Sequence, residues 1–440
     1  MAGTLEQRGR SEAPVEAAAG EGSSRGLRGR LSYRGLTQLR TFTSFRYPNY
    51  RLLWASTLMA SAGNWVQQVT IGWLAFHLTG DALLTGTVLG LRGVPFLIAG
   101  PLGGVLTDRM DRRKLLMATQ VYLALLGLVF ALLVWSDFLE IWHLYAFTFL
   151  FGAGWAMNNP LRQAMVANSV PREEMMNAIA LNSAAFQVTR IIGPAIGGVL
   201  IAVVGPSTNF FIQAVAFTMV ALLVWPLRIP QEDWSRSARQ SFLTNFREGV
   251  AYAVRTPVIL ALILLGMIPS LFLMSFVNGV MPVFAAEVLE NPDRGLGFLL
   301  SAFGVGALIG TMALASLGSA RRKGLMLLAA AMGAAVSTIA FAMTTTLMVS
   351  MLVMVVMGAM HMFYMATNNT LIQTIVPDTL RGRVLSLFML DFALTSLGAA
   401  MAGGIVRAYG ISAGFLFGGV CALVLFIVVA LVFKELRGRF

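Results

Sequence analysis

The sequence carries little charge for its length. Charged residues make up 12% of its 440 positions, about half of the roughly 25% that is usual in soluble globular proteins. Hydrophobic residues make up 57%, which leaves too little polar surface to cover a water-soluble body of this size. The composition therefore favours a membrane protein over a soluble protein of two or three domains.

Residues that build metal and catalytic sites are also scarce. The single cysteine, Cys421, excludes an intramolecular disulfide and a cysteine-based metal cluster. The three histidines are scattered along the chain, and no G-x-x-x-x-G-K-S/T phosphate loop of an ATP-driven pump is present. We therefore expect no enzyme activity, no catalytic residues, no cofactor and no metal.

Long apolar segments dominate the sequence instead. A transmembrane helix needs about 20 mostly apolar residues to cross roughly 30 Å of hydrocarbon, and a helix satisfies its own backbone there. The segments of this kind are 52–78, 83–107, 115–136, 141–164, 175–204, 207–227, 258–286, 296–318, 324–343, 347–372, 383–407 and 411–433. The sequence therefore predicts an all-α membrane protein with twelve transmembrane helices.

Lysine and arginine lie almost entirely on one side of these spans. Of the 32, 28 fall before the first span, in the even-numbered gaps, in the polar linker after the sixth span or in the C-terminal tail. Only two lie in odd-numbered gaps, and two, Arg92 and Arg190, lie within spans. The positive-inside rule then places both termini in the cytoplasm. The net charge of +12 is thus a topology signal, and we expect no nucleic-acid binding.

The two halves of the chain resemble each other. "NNPLRQAMVANSVP" from Asn158 and "NNTLIQTIVP" from Asn368 share an asparagine pair, a glutamine and Val-Pro. We expect two pseudo-symmetric six-helix bundles, the pattern of secondary transporters with a site between the halves. The expected domains are a disordered basic cytoplasmic tail at 1–45, bundles at 46–227 and 258–433, a cytoplasmic linker at 228–257 and a cytoplasmic tail at 434–440.

The gap after the second span concentrates charge, because six of the seven residues from Asp108 to Lys114 are charged. Gly104 and Asp108 are four residues apart and share a helix face. There the glycine admits a neighbouring helix, and the aspartate can face the positive N-terminal end of that helix. The basic residues suit the anionic inner membrane surface. A simple topology loop would explain those basic residues but not Asp108.

This stretch, "GVLTDRMDRR", resembles the signature G-x-x-x-D-R-x-G-R-R of the major facilitator superfamily. Asp111 replaces the glycine of the general pattern, as in the exporter branch that includes the enterobactin exporter and related drug-efflux proteins. The residues that match the signature are Gly104, Asp108, Arg109, Arg112 and Arg113.

Two further segments carry the same resemblance, which covers roughly residues 45–435. "VPDTLRGRV" from Val376 is similar to the second-half loop of that branch. "RIIGPAIGG" in the fifth span is similar to the later part of the antiporter motif, although Thr189 stands where its earlier glycine would fall. The helix-packing residues of that motif are Gly193, Pro194, Gly197 and Gly198.

The resemblance implies a proton-driven carrier that expels small drug-like or siderophore-like molecules. Its partners would be substrate, protons and the lipid bilayer, and it would act as a monomer in the plasma membrane. Asp108 would lock the outward-facing state against the start of span eleven near Arg383, on one side only, because Leu317 stands at the equivalent second-half position. A secondary importer and a non-transport membrane protein are the alternatives.

Polar residues within spans are the candidate site residues, because they are costly in lipid. The candidates for proton coupling are Asp391, Glu287 and His361, and Asp391 has the alternative of a paired structural acid. Arg92 and Arg190 have three interpretations: they hold an anionic substrate, they balance a carboxylate, or they bond to carbonyls freed by nearby prolines. The candidates for the substrate cavity are Asn64, Gln67, Gln68, Arg92, Asn158, Gln187, Arg190, Asn278 and Tyr364.

The topology can be checked with single cysteines on a Cys421→Ser background. Ser237→Cys, in the linker, should resist an impermeant thiol reagent added to intact cells, because the linker is expected in the cytoplasm. Asp137→Cys, in the third gap, should react with the same reagent. Labelling of position 237 from outside would reject the topology.

Asp108→Asn should slow transport while leaving ligand affinity within about tenfold, or roughly 1.4 kcal/mol. The reason is that Asp108 is expected to stabilise one conformer rather than to bind substrate. Flux and binding measured on the same purified protein test this. A folded variant that no longer binds ligand would contradict it.

Overall fold

The computed structural model describes residues 40–96, 110–228, 242–317, 322–377 and 389–438, with positions 380, 384 and 387. Most of these residues are helical, and no strand occurs among them. Of the residues singled out above, Gly104, Asp108, Arg109 and Arg383 lie outside the described residues.

The described residues form the following helices. They are, in order, the 3-10 helix Arg40–Arg46, α1 (Pro48–Thr79), α2 (Ala82–Leu91), α3 (Arg112–Trp135), α4 (Ile141–Ala167), the 3-10 turn Arg172–Glu174, α5 (Met175–Val204), α6 (Pro206–Val224), α7 (Phe242–Arg255), α8 (Pro257–Phe272), α9 (Met274–Gly279), α10 (Met281–Glu287), α11 (Pro292–Leu317), α12 (Lys323–Ala342), α13 (Leu347–Ile375), α14 (Met389–Tyr409), α15 (Ile411–Val432) and α16 (Glu435–Gly438).

Eight helical segments of the described ranges are long and apolar enough to cross a membrane. They are α3, the segment Arg172–Val204 that contains α5, α6, the segment Pro257–Gly279, α11, α12, α13 and α15. The 32-residue α1 is not among them, and its middle carries Asn64, Gln67 and Gln68. The expected second and eleventh spans are described only in part. The chain therefore reads as a multi-pass membrane protein, while the count of twelve spans stays a prediction.

Helix occurs at the end of the expected tail and in the expected linker. Arg40–Arg46, at the end of the expected tail 1–45, forms a 3-10 helix, and its Ser44 Oγ donates a hydrogen bond of 2.7 Å to Asn177 Oδ1 at the start of α5. The amphipathic helix α7 occupies the second part of the expected linker 228–257. Residues 1–39 lie outside the described residues.

The expected seventh span, 258–286, is wrong as a single helix. It is divided into α8, α9 and α10 by breaks at Leu273 and Val280. Pro269 and Pro282 stand close to these breaks, and each lacks the amide hydrogen that a continuous helix would use. A broken helix is tolerated at membrane depth where it is buried in protein or lines a cavity, and Met274 and Asn278 line the cavity described below.

The buried side chains form a cluster in each half and a third cluster between them. The first is drawn from residues 50–227 and the second from residues 253–436. The third brings Val69, Ala82 and Ile201 from the first half against Phe276 and Leu296 from the second. The halves therefore share an apolar contact region.

Helices α5 and α11 touch through their backbones. A Cβ atom added to Gly198 would lie 2.8 Å from the carbonyl oxygen of Asp293 and 3.2 Å from the Cα atom of Gly297, and one added to Gly297 would meet the carbonyl oxygen of Pro194. Beside this contact, Trp73 Nε1 donates a hydrogen bond of 2.8 Å to Asp293 Oδ1. Small residues of this kind are what let helices approach closely in membranes.

Helices α2 and α14 make a second backbone contact between the halves. A Cβ atom on Gly403 would lie 2.5 Å from the carbonyl oxygen of Ala82 and 2.9 Å from Leu83 Cα. Next to it, Arg407 Nη1 lies 3.3 Å from Asp81 Oδ2. Both contacts lie towards the end of the molecule where the chain turns at Gly80, Gly205 and Gly410, each with positive φ.

Gly297→Ala should lower thermal stability in detergent, because the added methyl group forces α5 and α11 apart. Overpacking of this kind costs about 1–3 kcal/mol. Gly295→Ala, on the same helix, is the matched control, because its Cβ would lie 3.5 Å from Asn291 Cβ and 3.7 Å from Ala285 Cβ. Equal melting temperatures for the two variants would refute the role of the contact.

Candidate functional site

A cavity of about 460 Å³ lies between the two halves. This volume is within the range of pockets that hold small organic molecules. Helices α1, α4 and α5 and the end of α2 form one wall, and α8, α9, α11, α13 and α14 form the other. Each half therefore contributes about one side of the site.

Most of the residues singled out from the sequence for the substrate cavity lie on these walls. Asn158 and Gln187 are not among the described lining residues. Asn158 is 1% exposed and is buried within the first half. The ones that line the cavity are Asn64, Gln67, Gln68, Arg92, Arg190, Asn278 and Tyr364.

The two arginines of the first wall are held differently. Arg92 follows the end of α2, and its guanidinium donates a hydrogen bond to Asn64 Oδ1 and lies 5.0 Å from the centroid of Phe151. Arg190 Cζ lies 5.7 Å from the centroid of Trp65 and 5.1 Å from that of Phe303. Both arrangements place a cation over an aromatic face, which is attractive. Of these two arginines, only Arg92 donates a hydrogen bond to a residue that the structure describes.

The opposite wall carries Asp391 and His361. Asp391 lies in the first turn of α14 and accepts a hydrogen bond from Ser270 Oγ on α8. His361 is 7% exposed, its ring centroid lies 5.9 Å from that of Phe303, and its Nδ1 has no partner among the described residues. Glu287, the third coupling candidate, is exposed at the end of α10 and does not line the cavity.

The antiporter-like residues position α5 against two helices. A Cβ on Gly193 would lie 2.6 Å from Trp65 Cβ on α1, and one on Gly197 would lie 3.2 Å from the carbonyl oxygen of Val66. Gly198 and the carbonyl group of Pro194 meet α11 instead, as described above. The motif thus holds the Arg190 backbone between both walls.

The described part of the signature region has a structural role. Asp111, where the general pattern has glycine, caps α3 because its Oδ1 accepts hydrogen bonds from the amides of Arg113 and Lys114 at 2.9 and 3.2 Å. Arg113 Nη1 donates to the carbonyl oxygen of Leu227 at 3.1 Å, which ties α3 to the end of the first half. Arg112 is the first residue of α3.

The position expected for Arg162 is wrong. The count of Lys and Arg places it in the gap after the fourth span. It lies inside α4 and is 5% exposed. Its Nε donates to Asn158 Oδ1 at 2.6 Å, and its Nη1 donates to Ser56 Oγ at 2.7 Å and to Thr57 Oγ1 at 3.3 Å. The spacing of four residues between Asn158 and Arg162, which places two side chains on one helix face, is the signal that could have found this network.

Sequence reasoning also missed most of the aromatic lining. Five aromatic side chains that sequence reasoning did not single out line the cavity together with its polar groups. Four of them come from the first half and one from α11. They are Phe96, Phe151, Trp155, Phe186 and Phe303. No group of three or more His, Cys, Asp or Glu residues that could hold a metal occurs in the described part of the chain.

Comparison with known proteins gives a consistent picture. Residues 39–438 match the family described as transmembrane secretion effector. Macrolide efflux protein A of Streptococcus pyogenes is 23% identical over 78% of this chain and 86% of its own length. The multidrug efflux pump Tap of Mycolicibacterium fortuitum is 27% identical over 84% and 92%. The staphyloferrin A transporter of Staphylococcus aureus (strain NCTC 8325 / PS 47) is 24% identical over 88% and 97%.

Solved structures agree on the fold. The nucleoside transporter NupG matches 88% of this chain and 99% of its own with a TM-score of 0.71 at 13% identity, a likeness that shows the fold alone. With the family match over almost the whole described chain, the chain belongs to the transmembrane secretion effector family of the major facilitator superfamily and is a multi-pass membrane transporter of small molecules, not an enzyme.

Proposed function

We propose that the chain exports small molecules from the cytoplasm across the plasma membrane in exchange for protons. The observation that carries the proposal is the cavity of about 460 Å³ with one wall from each half. A carrier that works by alternating access needs a site between halves that rock against each other. Macrolide efflux protein A and the multidrug efflux pump Tap support the outward direction by their names. Drug-like or siderophore-like molecules are the candidate substrates.

Two pseudo-symmetric six-helix bundles form the mechanical parts of this proposal. Equivalent helices pack in each half: α3 on α6 as α12 on α15, and α1 on α5 as α8 on α14. This correspondence supports twelve transmembrane helices, with α8, α9 and α10 together as the seventh. Both walls of the cavity come from a single chain, which supports a monomer as the transporting unit.

The backbone contacts support a direction of opening. They lie towards Gly80, Gly205 and Gly410, and we propose that they close this end of the cavity, which is the extracellular end if the termini are cytoplasmic. In this conformation substrate would reach the cavity from the cytoplasm. Release outside would require α5 to separate from α11 and α2 from α14.

Asp391 is the proposed proton-coupling group. It is the one carboxylate among the described residues that line the cavity, and it stands at the start of α14, the helix that contacts α2 across the halves. A proton exchanger needs a group whose neutral and charged forms prefer different conformers. The hydrogen bond from Ser270 joins this carboxylate to α8, so that protonation there can change packing within the second half.

Asp391→Asn should abolish uphill efflux driven by a pH gradient while gradient-free counterflow persists. The reason is that asparagine holds the site in a permanently neutral form. Both fluxes are measured in the same proteoliposomes, with the compound that most stabilises the purified protein in a panel of macrolides and other organic molecules.

Glu287→Gln is the matched control, because Glu287 is an acid of the same half that lies outside the cavity. It should keep both fluxes. Full gradient-driven efflux by Asp391→Asn would make Asp391 a structural acid and move the coupling role to His361 or Glu287. Uptake instead of efflux in oriented vesicles would favour an importer, and ligand binding without any flux would refute transport.

A further inference from the structure

We infer that Arg190 binds an oxyanion group of the substrate, and that the transported class is therefore amphipathic aromatic compounds that carry a carboxylate or a similar oxyanion. This inference rests on the proposed function, because it concerns the same cavity. It is carried by the charge balance of the walls, by the surroundings of Arg190 and by the lining of the cavity.

The charges of the described lining residues do not balance. Arg92 and Arg190 lie on the first wall, and Asp391 is the one acid, on the opposite wall. No ion pair joins Asp391 to either arginine among the described residues, and its carboxylate is engaged by Ser270. A guanidinium stays charged at physiological pH, so the first wall presents positive charge to whatever occupies the cavity.

Three arginines of the first half, the buried Arg162 and the half-buried Arg92 and Arg190, differ in which acceptors satisfy their guanidinium groups. Arg162 donates to Asn158, Ser56 and Thr57, and Arg92 donates to Asn64. Arg190 has no hydrogen bond or ion pair with any residue that the structure describes. A guanidinium has five N–H donors, so a ligand oxyanion supplies the acceptor that the described part of the protein does not.

Aromatic rings hold the Arg190 guanidinium in place without using its donors. Trp65 on α1 and Phe303 on α11 lie 5.7 and 5.1 Å from its Cζ. Stacking fixes the planar group while its edges stay available for the two parallel hydrogen bonds that a carboxylate can accept. Trp65 and Phe303 belong to opposite halves, so an anion at Arg190 binds where the two walls meet.

The remaining lining residues indicate what the rest of the ligand is like. Phe151, Trp155 and Phe186 supply apolar and aromatic surface around the same space. A flat apolar body buries itself against such rings, while a carboxylate at one end meets Arg190. A purely apolar compound would leave the guanidinium of Arg190 without an acceptor, which is costly in a buried site.

The test uses tetramethylrhodamine and its methyl ester, which differ in a single carboxylate and are both fluorescent. Binding to the full-length protein in detergent is measured by fluorescence anisotropy. The free acid should bind at least about tenfold more tightly than the ester, as expected for a hydrogen bond between charged groups. Arg190→Gln should remove that difference, and Arg190→Lys should restore part of it.

Gln187→Ala is the control, because Gln187 lies on α5 one turn away from Arg190 and outside the cavity. It should leave both affinities unchanged. Equal binding of acid and ester by the wild-type protein overturns the inference, and this comparison does not depend on whether an Arg190 variant folds. Failure of both dyes to bind also overturns it. Gradient-driven efflux of the ester, or of another compound without an oxyanion, would leave the exporter proposal standing.

Discussion

Backbone contact between α5 and α11 sets the distance between the two halves of the molecule. At Gly198 and Gly297 the Cα atoms meet without intervening side chains, and the α2–α14 contact at Gly403 repeats this arrangement. In lipid the hydrophobic effect does not draw helices together, so close van der Waals contact of this kind has to do so. The cavity depends on it, because its lining residues stand beside both contacts. A bulkier residue would change the site as well as the packing.

Three arginines of the first half, one buried and two half-buried, illustrate how position decides function. Arg162 is the most completely hydrogen-bonded and lies away from the cavity, so it ties α1 to α4. Arg92 shares its guanidinium between Asn64 and the face of Phe151. Arg190 is held by rings alone, which leaves its donors directed at the ligand space. The same side chain therefore serves as a structural tie at one site and as a candidate binding group at another.

Hydropathy and the placement of Lys and Arg were sufficient to predict an all-α multi-pass protein, because the bilayer imposes both on any sequence. Polar residues in apolar spans pointed to Arg190, His361 and Asp391, since lipid exposure of such groups is costly. The break in the seventh span was missed, because hydropathy averages over a window and does not register where backbone bonds end. Arg162 is misplaced for a different reason: its burial depends on the acceptors Ser56 and Thr57 from α1, which are distant in sequence.

Binding of a proton and of an oxyanion in one cavity are linked, and each changes the affinity of the other. Neutralising Asp391 removes the one negative charge among the described lining residues. The attraction of Arg190 for an oxyanion then becomes stronger. A substrate with an oxyanion alone would therefore bind together with the proton and cross in the same direction. Exchange in opposite directions requires a substrate that competes with the proton for Asp391, for example through a cationic amine. The two proposals together thus describe an amphoteric substrate whose opposite charges meet opposite walls of the cavity.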